Sequence, residues 1–157
     1  VTAHDRTQIE QLARSYTEAW CSHDPARVAG HYRPGGTIAI NGGDPAGIAD
    51  VADAFIAAFP DIEVFLDDLV IRDDGVVEYR WTFTGTSSET GQWVRIPGFE
   101  EWTIDADGSI AESRGHLDQA EYDRQLREEP RPSACRRARS GRGRSSRCRP
   151  SPSPKRR

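Results

Sequence analysis

The hydrophobic period of this 157-residue chain changes once, at Pro60, from helical spacing to strand spacing. On the N-terminal side, Ile9, Leu12, Ala13, Tyr16, Ala19 and Trp20 recur every three or four residues, which predicts an amphipathic helix with Asp5 as its cap. DPARVAGHY follows as a short second helix, with Asp24 at the N-cap and Pro25 at the first helical position. Between glycine-rich turns, RPGGTIAINGGDPAG holds one short strand, Thr37 to Ile40. A third helix runs from Gly47 to Phe59, with Ile48, Val51, Ala52, Phe55, Ile56 and Phe59 as its apolar stripe.

Beyond Pro60 the pattern predicts strands over 62–72, 76–86, 93–104 and 109–118, the third bent or bulged at Pro97-Gly98. In the second, Tyr79, Trp81 and Phe83 share one face, and Glu78, Arg80, Thr82 and Thr84 the other. A last helix covers Gln119 to Arg127 and stops before Pro130. Helices followed by an antiparallel meander give an α+β fold: a curved antiparallel β-sheet cone covered by N-terminal helices. The mouth of such a cone is an apolar site for a small molecule.

Charge divides the chain at residue 129. Up to Glu129 there are 10 basic and 25 acidic residues, a balance of −15. Residues 130–157 hold 11 basic and no acidic ones, a balance of +11. The acidic domain, 1–129, lacks the basic face that phosphate contacts need, so nucleic acid is expected at most through the tail. The Arg/Ser/Pro-rich tail has no apolar period and is expected to be disordered. It reads either as an arm for nucleic acid or membranes or as an out-of-frame extension. Cys21, Cys135 and Cys148 have neither metal spacing nor an even count, so no disulfide framework and no metal are expected, and the cytoplasm is the default location. No run approaches the roughly 20 apolar residues that span a bilayer.

YTEAWCSHDPARVAGHY, PDIEVFLDDLV, RWTFTGT and HLDQAEYDRQL, in this order, resemble the SnoaL-like branch of the nuclear transport factor 2-like superfamily. That branch contains polyketide cyclases, and its wider relatives include ketosteroid isomerase and limonene epoxide hydrolase. The resemblance covers about Thr7 to Leu126. It implies the cone fold, a homodimer formed through the outer sheet face, a small apolar organic ligand, and cofactor-free isomerase or cyclase chemistry. It also implies Asp118 as general acid/base, since cyclases of this branch carry an aspartate between the last strand and the terminal helix. The sequence departs from the family's glycine ending, with Arg127-Glu128-Glu129 in its place. The alternative is a ligand-binding or dimerisation module of the same fold without chemistry.

The candidate catalytic residues are thus Asp118, His116 and Tyr16. Asp118 reads either as a base whose pKa is raised by an apolar cavity or as the N-cap of the last helix. His116 shares its strand face and is either an assistant base or a buried histidine satisfied by a neighbour. Tyr16 is either a donor to an enolate oxygen, as in the ketosteroid isomerase relatives, or simply core. Candidate substrate contacts are Trp20, Phe55, Phe59, Arg80, Trp81, Phe99 and Glu101. Arg80 with Glu101 or Glu100 reads also as a structural ion pair, and sequence leaves open which sheet face lines the cavity.

Overall fold

The computed structural model describes residues 5–127, so the expected tail over 130–157, with Cys135 and Cys148, lies outside the described residues. Helix α1 spans Arg6–Cys21 and opens on a capping box. Gln8 N–H donates to Asp5 Oδ1 at 2.8 Å, and Asp5 N–H donates to Gln8 Oε1 at 3.2 Å, which satisfies two otherwise orphaned donors. Its buried residues are Ile9, Ala13, Tyr16, Ala19 and Trp20, one stripe at helical spacing. His23, in the left-handed region at φ 64°, reverses the chain into α2, Pro25–Ala29, which Asp24 caps.

Strand β1, Tyr32–Ile40, is longer than the glycines predict. Pro34, Gly35 and Gly36 do not end it. They form an irregularity inside it, with Gly35 at φ 78° and the register shifting between Tyr32 and Thr37. Gly36 is required there, because a Cβ would stand 2.8 Å from Tyr32 Cβ. A two-residue strand β2, Ala46–Gly47, precedes α3, Ile48–Ala58, whose last turn ends at Phe59. Strands β3 (Glu63–Ile71), β4 (Val77–Thr86), β5 (Trp93–Ile104) and β6 (Ile110–Leu117) follow, and α4, Gln119–Arg127, closes the described chain.

The six strands form one open sheet in the order β2-β1-β6-β5-β4-β3. β1 runs parallel to β6, so the sheet is mixed, where the sequence suggested a wholly antiparallel one. The pairing joins strands from opposite ends of the domain, and no local turn signal announces it. Pro97-Gly98 does not break the pairing of β5 with β4, which runs unshifted from Val77↔Trp102 to Thr86↔Trp93. β5 shifts register only against β6, between Thr103 and Ile104, and β3 shifts against β4, where Leu66 pairs with Trp81 and Asp68 with Arg80. Asp67 is therefore an extra residue, and it reverses the inside-outside alternation after it.

Register also settles the two faces. Tyr79 lies opposite Glu100, Trp81 opposite Gly98, and Phe83 opposite Ile96. In β6, Gly115 pairs with Glu100 and Ser113 with Trp102. These residues share the face covered by α1, and the core forms there. Trp102 is fully buried and stacks on Tyr79 with ring centroids 4.7 Å apart, while Tyr16 meets both rings edge-on. Arg80, Phe99, Glu101, Arg114 and His116 share the opposite, outer face.

Candidate active site

On the inner side, a cavity of about 50 Å³ lies between helices and sheet. Trp20 of α1 and Val51 and Phe55 of α3 form its roof, and Ile38, Val64, Tyr79, Trp81, Phe83 and Leu117 contribute to its walls. It is narrow because the aromatic side chains meet across it. Trp20 packs edge-on against Phe55, and Phe55 against Phe83, at centroid distances of 6.3 and 6.0 Å.

One carboxyl group enters this apolar wall, that of Glu100, whose residue is 5% exposed. Its Oε1 accepts from Trp102 Nε1–H at 2.8 Å, from the Ser113 hydroxyl at 2.9 Å and from the Tyr16 hydroxyl at 3.2 Å, with the Tyr32 hydroxyl at 3.5 Å. Among the described residues, Oε2 is left with the Tyr16 hydroxyl alone, at 3.3 Å. Burial pushes the Glu100 pKa above the ordinary carboxylate value, and the hydrogen bonds from Trp102, Ser113 and the tyrosines oppose part of that rise. The phenols of Tyr16 and Tyr32 are pushed well above their usual range, first by burial and then by the neighbouring carboxyl, so both stay protonated. The Tyr79 hydroxyl is committed to α1, lying 2.5 Å from Thr17 Oγ1.

Glu100 was legible in the sequence. In β5, Val94, Ile96, Gly98, Glu100, Trp102 and Ile104 share one parity, and Glu100 is the acid among them. A carboxylate in an apolar slot of an alternating strand marks an inward-facing titratable group, whereas pairing Arg80 with Glu101 or Glu100 misses it; Arg80 pairs instead with Glu78, at 2.7 Å.

The other candidates divide between two places. Trp20, Phe55 and Trp81 line the cavity. Phe59 is 1% exposed and packs on Phe83 and Tyr122, below the cavity wall. Tyr16 is wholly buried and reaches the cavity only through Glu100. Arg80, Phe99 and Glu101 stand on the outer face, with the Arg80 guanidinium 4.9 Å from the Phe99 ring centre. There His116 stacks on Phe99 at 4.7 Å, and its Nε2 lies 2.8 Å from Glu101 Oε1. Glu101 also pairs with Arg72 and Arg114, and the Arg72 and His116 hydrogen bonds hold its pKa down at about 2.

Asp118 falls one residue past the end of β6 and is exposed. Its Oδ1 accepts from Glu121 N–H at 3.1 Å, and its carbonyl accepts from Tyr122 N–H at 2.9 Å, which is the geometry of an N-cap. It borders an open groove with Asp67, Arg80, Phe99 and His116, and the groove meets the cavity at Trp81, His116 and Leu117. The structure thus brings His116 and Asp118 to one groove and leaves Asp118 outside the apolar cavity. Among the described residues no group of three or more His, Cys, Asp or Glu is placed to hold a metal ion, and no helix is long and apolar enough to cross a membrane.

Comparison with known proteins is decided by the family profile: the SnoaL-like domain matches residues 13–113. The chain belongs to the SnoaL-like family. Solved structures agree on its fold. AclR from Streptomyces galilaeus superposes with a TM-score of 0.67 at 21% identity, covering 87% of this chain and 92% of its own. TsrD from Streptomyces laurentii gives 0.68 at 22% identity, over 78% and 97%. SalBIII, an epoxide hydrolase/cyclase-like enzyme in pyran ring formation, gives 0.66 at 16% identity, over 74% and 95%. Among curated protein sequences none matches significantly. In this SnoaL-like domain the buried carboxyl of Glu100 lies on β5, one strand away from the end of β6.

Proposed function

We propose that this SnoaL-like protein binds a small, mostly apolar carbonyl compound in the inner cavity and catalyses isomerisation or ring closure beside the carbonyl, with Glu100 as its acid/base. The observation that carries this reading is a single carboxyl, of raised pKa, set in an apolar cavity wall. A base of raised pKa is a stronger proton acceptor once ionised, and the dry wall keeps competing water away. The carboxylate takes a proton from the carbon next to the carbonyl. The C–H electron pair becomes a C=C bond, and the carbonyl π pair moves onto oxygen. Return of the proton from Glu100 to another carbon completes an isomerisation. In ring closure, the nucleophilic carbon bonds to a second carbonyl carbon, whose oxygen takes the proton. The like-folded SalBIII acts in ring formation, there of an oxygen-containing pyran.

Asp118 fits the role less well, because its carboxylate is exposed and occupied by a backbone N–H. A binding module without chemistry is the second reading, favoured by the donors converging on Glu100 Oε1, which would also make a self-contained structural network. The small cavity volume implies a ligand of few heavy atoms, or an outward shift of Phe55 and Val51 on binding. A second copy of the chain pairs through the outer sheet face in this reading; Phe65 and Trp93, 44% and 53% exposed, lie on that face.

Deuterium exchange at the α-carbons of cyclopentanone in D2O, followed by NMR, tests the chemistry directly. Catalysed exchange that Glu100→Gln abolishes and Asp118→Asn retains is expected. Exchange that survives Glu100→Gln refutes Glu100 as the base, and binding with no catalysed exchange establishes the second reading.

A further inference from the structure

Trp81 holds a hydrogen-bond donor that has nothing to give to. Its indole Nε1 is buried and meets no acceptor among the described residues. Burying an unpaired N–H costs about 1–3 kcal/mol, so a sequence that keeps one there sacrifices stability. The indole is nonetheless firmly seated. Trp81 lies opposite Gly98, and a Cβ on that glycine would come within 2.5 Å of Trp81 Cη2. The missing side chain is what makes room for the ring.

The position of this donor is informative. Trp81 and Glu100 are diagonal neighbours on the inner face, since Trp81 pairs with Gly98 and Tyr79 with Glu100. Diagonal pairs stand roughly 7–8 Å apart and are within reach of one another's long side chains, so both can flank one small molecule. Both residues line the same cavity. Its other lining residues bring no Arg or Lys, so a ligand carboxylate would meet no fixed cation there.

Resting on the reading of Glu100 as acid/base, we propose that Trp81 Nε1–H is the donor that receives the carbonyl oxygen of an uncharged substrate. It takes the charge that builds on that oxygen as Glu100 removes the adjacent proton. Trp81 is then a catalytic residue that selects neutral carbonyl compounds over both hydrocarbons and amines of the same shape.

The test uses the full chain and three isosteric probes: cyclopentanone, methylenecyclopentane and cyclopentylamine. In the wild type, cyclopentanone is expected to bind about tenfold more tightly than methylenecyclopentane. It is also expected to move one indole N–H resonance in a 15N-labelled sample, which the hydrocarbon leaves in place. Trp81→Phe should erase the ketone preference and that resonance while keeping hydrocarbon affinity. The wild-type resonance keeps the proposal falsifiable if the variant does not fold. Ketone and hydrocarbon binding equally, a preference that survives Trp81→Phe, a still indole resonance, or tightest binding by the amine each overturn the proposal. In those cases α-carbon exchange lost in Glu100→Gln still upholds Glu100 as the base. Failure of all three probes to bind would overturn the cavity reading together with this one.

Discussion

Replacing Glu100 by Gln should make the protein more stable at pH 8 while removing its acid/base group. The amide keeps an oxygen at the Oε1 position, so Trp102 Nε1–H, the Ser113 hydroxyl and the tyrosines keep their acceptor. What disappears is the cost of ionising a carboxyl in a buried site. Because burial raises the folded-state pKa, the folded protein holds this proton more tightly than the unfolded chain. Its contribution is therefore fully present below the unfolded-state pKa of about 4.3 and is lost as pH rises through the folded value. Each unit of displacement is worth about 1.4 kcal/mol. The variant escapes that loss, so it is expected to melt above the wild type at pH 8. At pH 4 the two proteins should melt together. Glu100→Leu is the counterpart: it strips the acceptor from Trp102 Nε1–H and Ser113 and should cost about 2–4 kcal/mol at pH 4, and less at pH 8, where the wild type bears the ionisation cost that leucine escapes. Calorimetry or urea melts at pH 4 and pH 8 would measure all three proteins. A Glu100→Gln protein equally destabilised at both pH values would refute the reasoning, because it would mean that Glu100 serves the fold as an ionised anchor.

Asp118→Ala should cost about 1 kcal/mol through loss of the α4 cap, visible as earlier melting, with cyclopentanone exchange kept within a few-fold of wild type. Glu101→Gln should flatten the acid limb of the stability curve: the Glu101 pKa is lowered to about 2, so its contribution is present above the ordinary glutamate value and fades as pH falls toward 2. Denaturant melts between pH 5 and pH 2 check this. Gly98→Ala should destabilise by about 1–3 kcal/mol, because its Cβ would collide with the His116 carbonyl oxygen as well as with Trp81. The tryptophan emission of the variant should shift as the indole is displaced.

Much of the fold could be read from the chain because its signals are local. The Asp5 and Asp24 caps, Pro25 and the Pro60 switch each act within a few residues, and β5 and α4 lie where the alternation and the terminal stop place them. The features that were misread or not readable are those set by partners far away in sequence. The parallel seat of β1 beside β6 depends on residues about 75 positions apart, such as Ile38 and Ser113. The extra residue at Asp67 changes which side chains of β3 face inward, and a period of two cannot contain it. For the site, sequence named Trp20, Phe55 and Trp81, which line the cavity, and Asp118, which lies in the groove outside it. Family position drew attention to the end of β6 and not to Glu100, to which the β5–β6 register brings Ser113 and the packing of α1 on the sheet brings Tyr16.

The parallel contact between β1 and β6 also governs when this protein can become whole. β6, made last among the strands, sits in the interior of the sheet between β1 and β5. While the ribosome is still adding it, the N-terminal helices with β1 and β2 have no strand joining them to the meander of β3, β4 and β5. Both halves expose open strand edges, the condition under which chains aggregate. The Ser113 hydroxyl that holds Glu100 arrives with that same strand. Completion of the sheet and assembly of the buried acid are one event, and it waits for nearly the entire domain to leave the tunnel.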